Sequence, residues 1–273
     1  MRLAFIALAG SAGLATLAGC PHGDTPRPSG PEPTVADVVE HLTKARDALR
    51  SFKGEAVMEY WLGNDRFKGD VLAMGEVGAR VRIAALSPAG GSTIAEMVCD
   101  GAQFTSINYQ QNCVLTGPCN EQSIATFFGI ELAPDDFLHL ALGTPPVVDQ
   151  PRGSVAWDAG QGLRKIELEG TGGKQTLRID DRDQKWDVIE TERTGAGGVP
   201  LWTVKNGSFQ DATDATGAKH RVPGKSHFTT PNHQKADLTV EWSKQQVNIP
   251  LDPAAFKLAV PPGLLACGPA PKK

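Results

Sequence analysis

The first periodic stretch of the chain follows residue 33 and repeats its apolar side chains at helical spacing. Thr34 precedes Asp37 by three positions, which is the arrangement of an N-terminal capping box. Because apolar residues three and four positions apart share one face of a helix, residues 35–49 predict a single amphipathic helix that ends near residues 51–54. The apolar face consists of Val35, Val38, Val39, Leu42, Ala45 and Leu49.

From residue 55 onward, apolar and polar side chains alternate, which is the period of a half-buried strand. The predicted strands are residues 55–62, 66–74, 80–86, 93–99 and 103–109. Short segments rich in Gly, Asn, Asp and Pro separate them, so no crossover helices fit between them and we expect an antiparallel meander. The large residues on its apolar face are expected to line a concavity or a core: Met58, Tyr60, Val71, Val81 and Ile83.

A more apolar segment interrupts the meander. Residues 120–128 and 134–142 predict two short helices, the second with Pro134 in its first turn. Asp135 and Asp136 follow directly and are interpreted as acids that complement the helix dipole rather than as a catalytic carboxylate pair. The insertion needs an apolar surface to rest against. Its candidates for the same concavity are Phe128, Phe137 and Leu140.

Strand-like runs resume after the insertion, at residues 154–157, 163–169, 175–180, 186–193, 201–209 and 236–247. The loops around residues 195–198 and 211–217 are predicted to be exposed and mobile. A closing segment with Phe256 and Val260 precedes a proline-rich tail. The pattern predicts a mainly β protein, built as one large domain or two small ones.

The amino terminus is organised differently. Arg2 is followed by an uncharged apolar run, then by Leu17-Ala18-Gly19-Cys20. This order resembles a bacterial lipoprotein signal, which implies removal of residues 1–19 and acylation of Cys20. The alternative is an ordinary signal peptide or a transmembrane helix, but the run is short for a bilayer core of ~30 Å. A cysteine that carries several acyl chains, palmitate among them, would be a stable membrane anchor.

Residues 20–33 are rich in Pro, Gly and charge, so they predict an extended tether between this anchor and the folded part. Pro21 stands where lipoproteins retained in the inner membrane of enteric bacteria commonly carry aspartate. Its presence favours the outer membrane.

Charge and cysteine content narrow the class of protein. The net charge is −4, with 27 basic and 31 acidic residues interspersed, which argues against a nucleic-acid partner. Besides Cys20, four cysteines remain, and in an exported protein they favour two disulfides over metal ligands. Four cysteines allow three connectivities. We expect Cys113 to pair with Cys119 across the turn signal Gly117-Pro118, which leaves Cys99 to pair with Cys267.

The order of helix, meander, helical insertion, second meander and closing segment resembles the LolA/LolB lipoprotein-localisation superfamily, and most closely its outer-membrane LolB-like branch. Local matches are residues 49–54 entering the first strand, residues 80–90, and Asp100-Gly101 before Phe104. The resemblance implies a domain over residues 34–262 with a tail at 263–273. It further implies a half-open antiparallel β-barrel whose mouth is covered by the helices and whose apolar cavity takes acyl chains.

One position departs from that branch. LolB-type proteins carry an exposed leucine in the loop after the third strand, and the corresponding loop here has Ala89. Alanine offers much less apolar area to a bilayer, since burial contributes ~25 cal/mol per Å². The departure puts lipoprotein insertion in doubt but not the binding of acyl chains.

Other chemistry receives little support. There is no Gly-x-Ser-x-Gly motif and no Ser or Cys beside a His in a hydrolase pattern. His220, His227 and His233 share one polar stretch but lack metal-ligand spacing, so solvated loop residues are the preferred interpretation. The five tryptophans lie in separate strand-like runs, where packing is the default and cavity lining the alternative: Trp61, Trp157, Trp186, Trp202 and Trp242.

The sequence therefore predicts a non-enzymatic, lipid-anchored outer-membrane protein that binds acyl chains for lipoprotein or lipid transport, without a cofactor. A periplasmic carrier protein is an expected partner. The alternatives are an anchored scaffold whose filled cavity leaves it to bind another envelope protein, and a periplasmic hydrolase.

Overall fold

A computed structural model of the chain describes residues 24–62, 65–87, 90–231 and 236–267. The predictions for Cys20, Ala89 and His233 lie outside these residues. Within them, the chain forms three α-helices and sixteen strands, so the mainly β prediction is confirmed. None of these helices has the length and apolar content needed to cross a bilayer.

Helix α1 (Val35–Asp47) confirms the first prediction. The Thr34 hydroxyl accepts a hydrogen bond from the Asp37 amide at 3.2 Å, and the Asp37 carboxylate accepts one from the Thr34 amide at 2.8 Å. This capping box satisfies two of the amides that the first helical turn leaves without an intrahelical partner. Val38 and Leu42 are buried on the face that the periodicity predicts.

The first meander is longer than its apolar alternation indicates. Its strands are β1 (Ser51–Leu62), β2 (Asp65–Glu76), β3 (Arg80–Leu86), β4 (Thr93–Asp100), β5 (Gln103–Asn108) and β6 (Cys113–Pro118). Successive strands pair antiparallel, as expected. Helices α2 (Glu121–Phe128) and α3 (Pro134–Ala141) follow and confirm the predicted insertion.

The second half of the chain completes the same sheet. Its strands are β7 (Asp149–Asp158), β8 (Leu163–Thr171), β9 (Gly173–Asp180), β10 (Asp187–Gly195), β11 (Pro200–Gly207), β12 (Gln210–Thr213), β13 (Lys219–Val222), β14 (Lys225–Thr229), β15 (Ala236–Val247) and β16 (Leu265–Ala266). The large sheet has the order β16-β6-β5-β4-β3-β2-β1-β15-β14-β11-β10-β9-β8-β7 and is not closed into a barrel. Strand β15 joins the two halves by pairing with β1 and β14.

Part of the predicted loop around residues 211–217 is instead a hairpin. Strands β12 and β13 pair antiparallel beside the main sheet. Strand β14 was also not predicted, because one of its two buried side chains is Ser226 and Phe228 is its single apolar residue. Ser226 donates a hydrogen bond to Asn206 at 2.8 Å, and Asn206 donates one to the Val188 carbonyl at 3.0 Å. These bonds satisfy the polar groups that burial would otherwise penalise.

The cysteines form two disulfides in the described residues, but the expected pairing is wrong. Cys99 pairs with Cys119, and Cys113 pairs with Cys267, with Cα–Cα distances of 5.6 and 4.9 Å. Residues 113–118 form the extended strand β6 instead of a turn. Cys113 and Cys119 therefore lie ~20 Å apart at a rise of ~3.3 Å per residue, well beyond the ~7 Å that a disulfide tolerates between Cα atoms.

Two buried clusters lie on the sheet. The larger cluster includes the cover, defined here as α2, α3 and their connection (residues 121–141). In the order of the sheet, its strands are β5, β4, β3, β2, β1, β15, β14 and β11. Those strands span seven spacings in the sheet order, about 34 Å if flat, whereas each 8-residue helix is about 12 Å long. The cluster therefore extends beyond the length of either helix. The smaller cluster places α1 on β8, β9 and β10.

Candidate functional site

The candidate site is an apolar cavity between the cover and the middle of the sheet. Its walls come from β1, β2, β3, β14 and β15, and α2 and α3 close it. Every lining residue is apolar or aromatic: Phe52, Met58, Val71, Ala73, Val81, Ile83, Phe128, Phe137, Leu138, Ala141, Phe228, Leu238, Val240 and Trp242.

The structure brings together most of the residues selected from the sequence. Six of the eight candidates line the cavity: Met58, Val71, Val81, Ile83, Phe128 and Phe137. Tyr60 lies beside it, with its ring edge against Phe128 at a centroid distance of 6.2 Å. Leu140 is buried in the surrounding core but does not reach the cavity wall.

Strands β14 and β15 supply a wall that sequence reasoning missed. Phe228, Leu238, Val240 and Trp242 face the cavity because β15 pairs with β1 in a register that sets Val240 opposite Met58. Alternation in residues 236–247 predicts a half-buried strand, but no local signal reports which strand it pairs with. Of the five tryptophans, Trp242 is the one that lines the cavity, whereas Trp202 is buried in the core and Trp61 is exposed.

Aromatic rings fasten the cover to the sheet. Phe128 of α2 stacks on Phe137 of α3 at a centroid distance of 4.9 Å, and Phe137 contacts Phe228 of β14 at 5.8 Å. Gly75 of β2 allows α3 to approach closely, since a Cβ atom there would stand 2.7 Å from Leu138 Cδ1. The cover therefore rests on the sheet through apolar contacts. These contacts would have to separate before a ligand, called the guest below, could enter the cavity.

Two polar contacts hold the amino end of α3. The Asp135 carboxylate accepts hydrogen bonds from the Gly78 amide at 3.2 Å and the Ala79 amide at 2.7 Å. Asp136 forms an ion pair with Arg46 of α1 at 2.7 Å. Beyond complementing the helix dipole, these acids thus attach the cover to the β2–β3 turn and to α1.

His139 is the one buried histidine in α3, and it faces the inside of the protein. Its exposed fraction is 3%, and its Nδ1 lies 3.1 Å from the Thr144 hydroxyl. Burial, assisted by nearby Arg46, lowers the pKa of His139 to about 4. The imidazole is therefore neutral at pH 7. Protonation at low pH would place a charge in this buried position and destabilise the packing of α3.

Two buried donors flank the cavity without a hydrogen-bond partner in the described residues. They are Tyr60 Oη on β1 and Trp242 Nε1 on β15. Burial raises the pKa of Tyr60, so the phenol keeps its proton. A buried donor without an acceptor costs roughly 1–3 kcal/mol, which a guest that brings an oxygen acceptor would recover.

The cavity volume is about 40 Å³. Sites for ligands of moderate size span roughly 300–1,000 Å³. A hydrocarbon chain does not fit unless the cover moves. Four larger grooves, of about 380 to 660 Å³, lie elsewhere in the described residues, and each has charged side chains in its lining, so none is lined by apolar side chains alone.

The remaining polar candidates serve local structure. His220 contacts Asp214 at 2.8 Å, and hydrogen bonds from Thr216 and His220 hold the pKa of that carboxyl well below its usual value. His227 contacts Asp237 at 2.8 Å. In the described residues, no group of three His, Cys, Asp or Glu side chains could hold a metal ion.

Comparisons with known proteins support the fold. No family model matches the chain, and no curated protein matches it by sequence. Among solved structures, a LolA superfamily protein from Nitrosomonas europaea has a TM-score of 0.52 at 11% identity, over 83% of this chain and 98% of that one. A DUF1329 family protein from Desulfovibrio piger has a TM-score of 0.54 at 12% identity, over 81% and 95%.

A third structure, a proposed outer membrane lipoprotein-sorting protein domain from Vibrio parahaemolyticus, has a TM-score of 0.51 at 13% identity, over 80% of this chain and 94% of that one. The predicted resemblance to the LolA superfamily is thus confirmed at the level of the fold.

Proposed function

We propose that this protein is a non-enzymatic envelope lipoprotein, anchored to the outer membrane through acylated Cys20, that carries acyl chains of lipids or lipoproteins beneath its helical cover. The observation that carries the proposal is the cavity lined by apolar and aromatic side chains under an insertion held by a few polar contacts. The fold supports it, since a similar structure is described as a lipoprotein-sorting domain. The carrier occupies residues 34–262.

Entry of a guest requires the cover to move outward from the sheet. Asp135 and Asp136 hold one end of α3, so their contacts resist this motion. The guest offsets the cost by leaving water, at ~0.8 kcal/mol per buried methylene, so about ten methylenes supply roughly 8 kcal/mol. The contacts of Phe137 with Phe128 and with Phe228 limit the size of the cavity, so these rings would have to separate on entry.

One of the two buried donors recognises the polar end of the lipid. Tyr60 and Trp242 belong to the adjacent strands β1 and β15, where Tyr60 pairs with Leu238, four residues from Trp242. An ester, amide or carboxyl oxygen satisfies either donor. The guest is therefore a lipid with an oxygen acceptor next to its hydrocarbon chain, as in a diacylglyceryl group.

A second candidate function rests on the small volume of the cavity. If the cover never opens, the core is simply filled, and the molecule is an anchored scaffold that binds another envelope protein. The two functions differ in one measurable respect. The carrier takes up lipid and the scaffold does not.

The test is lipid binding by the Cys20→Ser protein without its signal peptide, measured by native mass spectrometry and by titration with a fluorescent fatty acid. Ala73→Leu fills the cavity from β2 and is expected to lower affinity at least tenfold. Leu72→Phe is the matched control, because Leu72 is the neighbouring residue on the same strand and is 43% exposed on its outer face.

Absence of bound lipid and of uptake by the unmodified cavity would remove the carrier function. Crosslinking that then recovers one stoichiometric envelope protein would support the scaffold.

A further inference from the structure

The segment before α1 is attached to the sheet instead of hanging free. The Thr25 amide donates a hydrogen bond to the Ala159 carbonyl at 2.8 Å, and the Thr25 carbonyl accepts one from Trp157 Nε1 at 3.0 Å. Both partners belong to the end of β7 and the β7–β8 turn. Gly162, in the same turn, lies against Thr25, where a Cβ atom would stand 3.0 Å from its side chain.

A buried arginine makes the second attachment. Arg164 of β8 has a side chain 4% exposed and forms ion pairs with Glu32 and with Asp181. Arg27 reaches Glu32 at 2.6 Å from within the segment. The Arg164 guanidinium also lies over the Trp157 ring at 5.8 Å. The segment is thus held at both ends, by Thr25 and by Glu32.

This attachment limits the distance between the protein and its anchor. Thr25 is five positions after Cys20, and an extended chain spans at most ~3.5 Å per residue, or ~17 Å in all. We infer that the β7–β8 turn and the neighbouring β9–β10 loop form the face of the domain that rests against the bilayer surface. The inference depends on the anchoring part of the proposed function and not on lipid carriage.

The composition of this face suits contact with headgroups rather than insertion. Its charges are mostly paired: Arg182 with Asp180 at 2.7 Å, and Lys185 with Asp183 at 3.1 Å. The large apolar side chains that are exposed in the described residues lie outside segments 158–162 and 180–186. With paired charges and no apolar wedge, the face is held near the membrane by the short link to Cys20.

The experiment places a photocrosslinking amino acid in the full-length, anchored protein, at Gln161 in one variant and at Thr171 in another. Both residues are exposed, and they lie at opposite ends of β8, which is ~26 Å long at ~3.3 Å per residue. We expect at least tenfold more lipid adduct from position 161. Equal adducts from the two positions would overturn the inference.

Two further variants test the cause. Ten Gly/Ser residues inserted after Gly23 extend the reach to ~50 Å without touching the fold, and should bring the ratio of adducts close to one. Trp157→Phe removes the hydrogen bond to the Thr25 carbonyl and should lower the ratio, whereas Glu40→Gln, which removes an exposed ion pair with Lys44 on α1, should leave it unchanged. A ratio insensitive to the insertion would refute the inference.

Metabolic labelling with palmitate separates this inference from the carrier function. Label that depends on Cys20 establishes the anchor on which the inference stands, and lack of such label defeats it. Neither result changes the outcome of fatty-acid titration of the Cys20→Ser protein.

Discussion

A single substitution, Tyr60→Phe, should affect the stability of the protein and its affinity for lipid differently. The Tyr60 hydroxyl is buried without a partner, so Tyr60→Phe removes a polar group that contributes nothing to the guest-free protein. We expect the free energy of unfolding to stay the same or to rise. Affinity for a lipid ester should fall about fivefold, through loss of one hydrogen bond worth ~1 kcal/mol.

Urea unfolding and fatty-ester titration measure the two quantities for Tyr60→Phe. A loss of stability with no change in affinity would mean that the hydroxyl has a structural role. Dodecane, which has no oxygen acceptor, serves as the control ligand and should bind both proteins equally.

His139 makes the stability of α3 depend on pH. Its pKa is lowered from 6.5 to about 4 by burial, so below pH 6.5 protons bind to the unfolded chain first and stability falls until pH reaches about 4. This group alone should cost about 2 kcal/mol between pH 7 and pH 5. Urea unfolding at both pH values should show that His139→Gln lacks this component. An identical pH dependence in the variant would exclude it.

At single residues, sequence reasoning succeeded where the chemistry is local. The Thr34–Asp37 capping box depends on two residues three positions apart at the start of one helix and was predictable. The cysteine pairing depends on whether residues 113–118 turn or extend, and Gly117-Pro118 favours a turn. In the structure Pro118 is the last residue of β6, where a missing amide costs little, so the turn signal misled.

At the scale of elements, α3 depends on the two acids that attach it. Asp135→Ala removes the hydrogen bonds to the β2–β3 turn, with an expected loss of about 2 kcal/mol of local stability. Amide exchange in α3 should then accelerate about 30-fold, and fatty-acid uptake should also become faster. Glu131→Ala is the matched control, since Glu131 is an exposed acid in the same cover. Faster exchange with unchanged uptake would show that α3 does not gate entry.

Helices and strands were predicted correctly where apolar residues recur at a regular spacing in the sequence. Strand β3 has the predicted bounds, and α2 and α3 differ by one residue at an end. Strands β12, β13 and β14 were missed because polar residues occupy most of their positions, and the buried Ser226 is satisfied by Asn206 rather than by apolar packing. Polar pairs of this kind have no signature in a single sequence.

At the scale of the molecule, the two disulfides should differ in their contribution to stability. Cys113–Cys267 closes a separation of 154 residues and Cys99–Cys119 one of 20. On the chain-entropy account, removing the first costs about 5 kcal/mol and the second about 3 kcal/mol. Urea unfolding of the paired alanine variants measures both. A larger loss for the short bridge would contradict the entropic account for this chain.

The mainly β fold and its resemblance to the LolA superfamily were predictable, because the local pattern of apolar and polar residues gives the order of the helices and the spacing of the strands. The cavity's volume was not, since it depends on how Phe128, Phe137 and Phe228 meet across three separate elements. The attachment of residues 24–32 to β7 and β8 was equally hidden, because proline-rich composition predicts only an extended backbone.

Strand β1 lies near the middle of the sheet, with β2 on one flank and β15 on the other. Synthesis proceeds from the amino end, so β1 and its neighbour β2 are made long before β15, the strand on the other flank of β1. Until β15 is made, one side of β1 is an unpaired strand edge, and another extended peptide can pair with it. A stop codon ahead of residue 236 would make this condition permanent, splitting the sheet through its centre rather than shortening its rim.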